Sequence, residues 1–303
     1  MFNLFKKKPL YPGTARQHAF IVGTGRCGTT ILASVLNAHS RICIPPELQV
    51  IFSYSGNGDR YYEKFMSGEM GRFRARQFIK LSKLVCPYDI SKFFDYEQHF
   101  KGLDYPQTDL KRLLHELFDH ICYAHGKDIF IEQTPWYGQR LDLLKELFPE
   151  MKVIHLVRDG RDVALSYART VWWSKDVGQN LLQWEKEVNI VKEFGAKNPD
   201  NFLEIRYEDL ACNPEQELQK ILNALGLSFE PDMLNSAKLI NYWSMFKGDT
   251  GGMHSKQYQQ WEQSMKNVFF PDSIYAWKRN HDYDFSKLSE PVRATLEALD
   301  YSV

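Results

Sequence analysis

The sequence predicts an α/β fold in three layers, with a central parallel sheet covered by helices on both faces. Three observations carry this expectation. Short apolar runs of strand length at residues 19–23, 128–132, 152–157 and 202–206 alternate with helical apolar spacing at 28–38, 138–148, 161–169 and 214–225, the pattern of strand–helix–strand crossovers. Runs such as AFIVG and KVIHLV read as buried strands. Breakers stand where the elements should end: Gly23 after the first strand, Pro45-Pro46 after the run at 42–44, Pro149 and Gly226 after two of the helices.

Taken in order, residues 1–18 form an N-terminal tail and 19–303 a single domain, long for one unit but ordinary for an α/β fold. In the tail, Phe2, Leu4 and Phe5 precede Lys6, Lys7 and Lys8. That apolar stretch is too short, and in the wrong order, for a secretion signal. It reads either as a frayed end or as a weak peripheral membrane contact. Residues 50–127 are aromatic and mixed in charge, which predicts a mainly helical insertion on the substrate side. Trp172, Trp173 and Trp184 either border an acceptor cleft or fill the core. No apolar run reaches the ~18 residues of a membrane-spanning helix.

Lys+Arg and Asp+Glu both number 38, for a formal net charge of +0. A nucleic-acid binder usually carries a basic excess, so any anion site here must be a local arrangement. Five widely spaced cysteines include no CxxC pair, which argues against a structural zinc or a dithiol redox centre and fits a reducing, cytoplasmic setting.

In a parallel sheet, ligands sit at the carboxyl ends of the strands. That edge gathers residues 24–30, 133–135 and 158–162. The first of these lies in GTGRCGTT, from Gly23 to Thr30, a near match to the phosphate-binding pattern G-x-x-x-x-G-K-[ST]. Thr29 holds the place of the lysine, so the chain is a poor candidate for splitting a triphosphate, and no metal is expected. The remaining device survives: glycines that let the backbone fold round an anion, N–H groups at a helix start, and Arg26 as a local cation. The plain alternative is a glycine turn with no ligand. Cys27 reads as a small turn residue, its thiol pKa lowered by the helix-start N–H groups.

The second anion element is RDGRDVALS, from Arg158 to Ser166. A guanidinium at a strand end and a hydroxyl on the following helix can close on one phosphate. Asp159 and Asp162 read as a turn residue and a helix N-terminal acid. The alternative is an ion-pair network among Arg158, Asp159, Arg161 and Asp162. His39 and His155 read as structural. His254 lies in the stretch 248–255, which with Lys256 forms either a cofactor-covering loop or a flexible linker.

The segments FIVGTGRCGTTILASVLNAHS, IEQTPW, VIHLVRDGRDVALSY and IRYEDLACNPEQELQKILNALGL resemble those of sulfotransferases that use 3′-phosphoadenosine-5′-phosphosulfate (PAPS). In motif they are most similar to the tyrosylprotein and bacterial branch. The blocks span residues 19–227, with 50–127 unmatched. The resemblance implies a P-loop-like nucleotide-binding fold and a set of roles. Gly25, Arg26, Cys27, Gly28, Thr29 and Thr30 would hold the 5′-phosphosulfate, with Arg26 as catalytic arginine. Arg158 and Ser166 would grip the 3′-phosphate, Tyr207 would lie near the cofactor, and adenosine-3′,5′-bisphosphate would be the product. Glu47 falls where the tyrosylprotein branch has its general base; its plain reading is a helix-capping or surface acid. Gln133 stands where some relatives have a lysine, Gln49 where a peptide-reading arginine would be, and Ala276 precedes Trp277 in place of a lysine. The acceptor expected is therefore a hydroxyl of a carbohydrate, glycolipid or small metabolite, with a tyrosine or phenol as the alternative. The rival functions are a P-loop-type small-molecule kinase and a nucleotide-binding protein without turnover.

Overall fold

A computed structural model of the chain describes residues 17–51, 70–71, 77–78, 80, 86, 88–95, 107–170, 173–245, 268–269, 271–280 and 283–303. Its centre is a five-stranded sheet built from β1 (Gln17–Gly23), β2 (Ile42–Cys43), β5 (Ile129–Glu132), β6 (Lys152–Val157) and β7 (Phe202–Arg206). The spatial order is β2-β5-β1-β6-β7 and every pairing is parallel. Ile21 pairs with Ile154 and Phe20 with Glu132, so the ends of the three middle strands lie side by side. β3 (Met70–Gly71) and β4 (Gln107–Thr108) form a separate antiparallel pair.

The helices follow from capping and burial. α1 (Thr29–Asn37) starts at Gly28, and α2 (Leu110–Ala124) starts where the Asp109 carboxylate accepts from the Arg112 N–H. α3 (Leu141–Leu147) ends before Pro149, and α4 (Gly160–Ala168) is capped by Asp159. α5 (Val177–Lys197) is capped by Asp176; α6 (Tyr207–Cys212) and α7 (Pro214–Ala224) follow β7, and α8 (Glu290–Glu297) closes the chain. One core takes in β1, β5, β6, α1, α2 and α3; a second packs α4, α5 and α8 on the far side of Val157. Helices thus cover both faces, and Ala19 through Val22 are wholly buried.

Two elements differ from expectation. The helix expected over 138–148 opens instead as a 3₁₀ turn, Pro135–Arg140, before α3 begins. Gly138 presses on Val22 and Val191, where a Cβ would stand 2.7 Å from the Val191 methyl, so the turn's course is set by packing on β1. The 21-residue α5 was not anticipated; Trp184 lies on its buried face, which settles that tryptophan in the core. The expected insertion at 50–127 lies largely outside the described residues, whose share of it includes α2, the β3–β4 pair and a 3₁₀ turn at Ile90–Lys92. Residues 1–16, Trp172, His254 and Lys256 also lie outside them.

From β1 the chain passes through α1 to the β2 edge, while from β6 it passes through α4 and α5 to the β7 edge. Neighbouring strands whose connections diverge leave a crevice at their carboxyl ends, the usual seat of a ligand in an open α/β sheet.

Candidate active site

The glycine turn stands at the mouth of that crevice. Its backbone is left-handed at Arg26 (φ 68°) and at Gly28 (φ 103°). Glycine adopts such a φ freely, whereas an arginine there is held in a sparsely populated region by its surroundings. At Gly28 a side chain is also excluded by contact, since a Cβ would stand 2.6 Å from the Tyr207 ring. Beyond the turn, the first N–H groups of α1 have no intrahelical carbonyl to bind and point outward as a positive helix end.

Two guanidiniums meet at this end. Arg158 donates through Nη1 to the Arg26 carbonyl at 3.2 Å and through Nη2 to the Ser273 carbonyl at 2.7 Å. Arg26 Nε donates to Ser166 Oγ at 3.0 Å. Burial pulls the Arg26 pKa below its ordinary value, the Arg158 charge adds to the fall, and no carboxylate among the described residues acts on it. Arg158 lies 3.8 Å from Asp162, and among the described residues its buried Nε has no hydrogen-bond partner. Its guanidinium stands over the Tyr207 ring at 4.9 Å, and Tyr207 Oη is 3.4 Å from Ser273 Oγ. Arg26, Arg158, Ser166 and Tyr207 are therefore gathered at one spot, with surplus positive charge in a chain of zero net charge.

The alternative reading of RDGRD also has substance, in its other residues. Asp159 pairs with the buried Arg161 at 2.8 Å and accepts from Trp277 Nε1 at 3.0 Å. Arg161 lies over the Trp277 ring at 3.8 Å and donates to the Ser302 carbonyl; Asp162 accepts from the Trp277 N–H. Arg158 thus joins the glycine turn to Ser273, while Asp159, Arg161 and Asp162 bind Trp277 and Ser302.

Cys27 corrects an expectation. It is wholly buried and donates to the Thr24 carbonyl at 2.8 Å. Burial pushes its thiol up to about 12, outweighing the nearby N–H groups that were expected to lower it. His39 and His155 are structural as expected: His39 meets the Ser228 carbonyl at 3.1 Å, and His155 meets Glu204 at 3.0 Å inside β6.

Glu47 lies on an irregular segment, partly buried, and caps no helix. Burial, with the Glu132 charge adding to it, pushes its carboxyl up to about 8. The fully buried Glu132 rises to about 7, chiefly by desolvation. Burial raises the Tyr88 pKa, the Glu47 carboxylate adds to the rise and the Arg26 guanidinium opposes it, so Tyr88 lies within electrostatic reach of both.

The model of the sulfotransferase family matches residues 19–231, more than half of the chain. The chain belongs to the sulfotransferase family. Among relatives, it is 25% identical over 245 residues to an omega-hydroxy-beta-dihydromenaquinone-9 sulfotransferase of Mycobacterium bovis, covering 69% of this chain and 62% of that protein. It is 26% identical over 227 residues to protein-tyrosine sulfotransferase A of Caenorhabditis elegans, covering 73% and 53%. The chain thus spans less than two thirds of either relative. Its fold is similar to the sulfotransferase domain of the Synechococcus PCC 7002 olefin synthase, with a TM-score of 0.64 at 23% identity over 98% of both chains. The sulfotransferase domain of the curacin biosynthetic pathway is similar too, with a TM-score of 0.63 at 21% identity.

Within this sulfotransferase-family site, several residues were not singled out by sequence. Glu132 and Tyr88 flank Glu47, and Ser273 holds both Arg158 and Tyr207. Tyr167 and Trp136 press on Gly25, where a Cβ would stand 2.4 Å from Tyr167 Oη and 3.2 Å from the Trp136 ring. Trp173, which the sequence offers for the cleft or the core, stacks on Tyr167 at 4.5 Å. The IEQTPW block held Glu132 and Trp136 in plain view, but nothing in the spacing says which face each side chain takes. Gln133 is wholly buried, and among the described residues neither atom of its amide has a hydrogen-bond partner.

Proposed function

We propose that this chain transfers a sulfonate group from PAPS to an acceptor hydroxyl by direct in-line displacement. The observation that carries the proposal is the convergence of Arg26, Arg158 and Ser166 on the left-handed glycine turn, with Tyr88 in electrostatic reach of both Arg26 and Glu47. These residues fit a doubly phosphorylated nucleotide: among the described residues Asp162 stands 3.8 Å from Arg158, no carboxylate acts on Arg26, and the buried Arg158 Nε lacks a hydrogen-bond partner. An anion with two phosphate groups supplies what they lack.

Bound PAPS supplies the sulfonate and an adenosine-3′,5′-bisphosphate leaving group. Glu47, once ionised, accepts the acceptor's proton as its oxygen forms a bond to sulfur. Arg26 and the N–H groups of Gly25, Cys27, Gly28, Thr29 and Thr30, with the two threonine hydroxyls, set positive charge where negative charge gathers on the departing side. Arg158 and Ser166 hold the 3′-phosphate, and Tyr207, under Arg158 and against Gly28, shapes the floor of the nucleotide site.

The acceptor we propose is a carbohydrate, glycolipid or small metabolite hydroxyl, because Gln49 and Gln133 stand where a peptide-reading arginine and a lysine would otherwise be. A tyrosine or phenol is the second candidate, since relatives include proteins named for menaquinone-derivative and for protein-tyrosine sulfation. A cytoplasmic, reducing setting belongs to the same proposal; no disulfide occurs among the described residues.

Calorimetry with adenosine-3′,5′-bisphosphate, 5′-AMP and ATP with Mg²⁺ tests the reading. Tight binding of the bisphosphate alone supports it, and labelled PAPS with an acceptor panel follows. Tight ATP binding without bisphosphate binding would replace it with the kinase reading, and bisphosphate binding with no turnover on any acceptor or on water would leave a nucleotide-binding protein.

A further inference from the structure

Glu132 ends β5 beside β1, wholly buried. Its Oε1 accepts from the Leu48 N–H at 3.1 Å and from Thr134 Oγ1 at 2.7 Å, and its Oε2 accepts from the Thr134 N–H at 2.7 Å. Every one of these donors is neutral. A buried carboxylate that finds only neutral donors among the described residues is costly to ionise, so a charge kept there calls for a reason beyond stability.

The Leu48 N–H belongs to the peptide group that follows Glu47. The opposite edge of the same peptide group, the Glu47 carbonyl, accepts from Cys86 Sγ at 3.1 Å. Pro45 and Pro46 stiffen the chain before it, and Gln49 follows in a left-handed conformation (φ 53°). Held at both edges, this peptide plane cannot turn, and the direction of the Glu47 side chain is set with it. The groups facing Glu47 are Gln49 from its own segment (3.5 Å), Glu132 from β5, Cys86 and Tyr88 from the segment before α2, and Arg26 beyond Tyr88. Glu132 is the second acid among them.

We infer that Glu132 is a positioning residue for the base: it clamps the Glu47–Leu48 peptide and, once ionised, sets a second negative charge beside the Glu47 carboxylate. This rests on the reading of Glu47 as base. The clamp keeps the carboxylate aimed where a hydroxyl proton is lost, and the charge makes that carboxylate a stronger proton acceptor.

Two substitutions separate the two effects. Glu132→Gln removes the charge but keeps an oxygen for the Leu48 N–H; Glu132→Asp keeps the charge but is too short to reach it. Both are compared with the parent by ¹³C NMR titration of the carboxyl resonance that disappears in Glu47→Gln. Slow PAPS hydrolysis at pH 9 is measured alongside, with water as acceptor: its oxygen bonds to sulfur, the sulfur–bridging-oxygen bond breaks, and Glu47 takes the proton. The expected result is that Gln moves the Glu47 midpoint toward acid from about 8. Asp leaves the midpoint near the parent's but slows hydrolysis roughly tenfold to a hundredfold, the usual cost of a misplaced group. Bisphosphate affinity should stay within about twofold in both, since the donor site is untouched. An unmoved midpoint in Gln together with parental hydrolysis in Asp overturns the inference, as does loss of bisphosphate affinity in step with melting temperature. If Gln does not fold, Asp alone decides through hydrolysis. Parental hydrolysis by Glu47→Gln would instead sink the base reading, whatever Glu132 does.

Discussion

The two sides of the crevice are built on opposite electrostatic plans. On the donor side, Arg26 and Arg158 are brought into contact around a turn of N–H groups, and positive charge is left over. On the Glu47 side, a partly buried carboxylate stands within electrostatic reach of a wholly buried one, and both rise toward neutrality. The first plan binds an anion and needs a ligand to relieve its charge. The second keeps a carboxyl poised to exchange a proton near neutral pH. Each is costly alone, and an in-line transfer reaction uses both.

The comparison can be broken from either side. The largest expected effect is on turnover. Arg26→Ala should slow PAPS hydrolysis by about 10² to 10³, as loss of one charge-stabilising donor does elsewhere, and single-turnover assays would show it. Glu47→Gln should slow it by a comparable factor with bisphosphate affinity unchanged. A loss of affinity in Glu47→Gln would mean that the two sides are not separate.

Next in size is a contrast inside RDGRD. Asp159→Ala strands the buried Arg161 and loosens Trp277, so it should cost about 3–5 kcal/mol of stability in urea unfolding. Arg158→Ala should leave stability nearly intact and weaken bisphosphate binding about ten- to a hundredfold, while 5′-AMP binding changes little. If the two variants behaved alike, the division of the motif between ligand and C-terminal segment would be wrong.

Smaller is the pH dependence of rate. With the Glu47 carboxyl near 8, hydrolysis should climb through neutrality and level off above about pH 8. A profile that is flat from pH 6 to 9 would count against Glu47. The smallest effect is on stability. Glu47 and Glu132 have folded pKa values raised above their unfolded ones, so the native state binds more protons across that interval. Stability is therefore fully present near pH 4 as far as these two groups are concerned, and falls as pH rises through about 7 and 8. The melting temperature should drop by a few degrees from pH 6 to 9, and Glu47→Gln should flatten part of the drop.

How much of this was legible varies with the kind of residue. The strand–turn–helix order, the glycine spacing and RDGRDVALS were readable because they are local: period, breakers and short motifs report on neighbours in the chain. The left-handed backbone at Arg26 was not readable, since nothing in an arginine announces it. Cys27 is the small turn residue its place suggests, but its thiol is raised rather than lowered, because burial outweighs the helix-end N–H groups. Ser273 and Tyr88 carried no motif at all, and each reaches the site across a long sequence separation.

The sequence by itself determined the parallel sheet, the anion turn at Gly23 to Thr30 and the sulfotransferase character of the motifs, because periodicity and turn chemistry are written residue by residue. Only the tertiary structure decided that Arg158 and Ser166 both meet Arg26, that Asp159 and Arg161 turn away to hold Trp277, and that Glu132 stands against the Glu47 segment. Those contacts join segments far apart in the chain, and the direction of a side chain at a strand end depends on which neighbours exclude water from it.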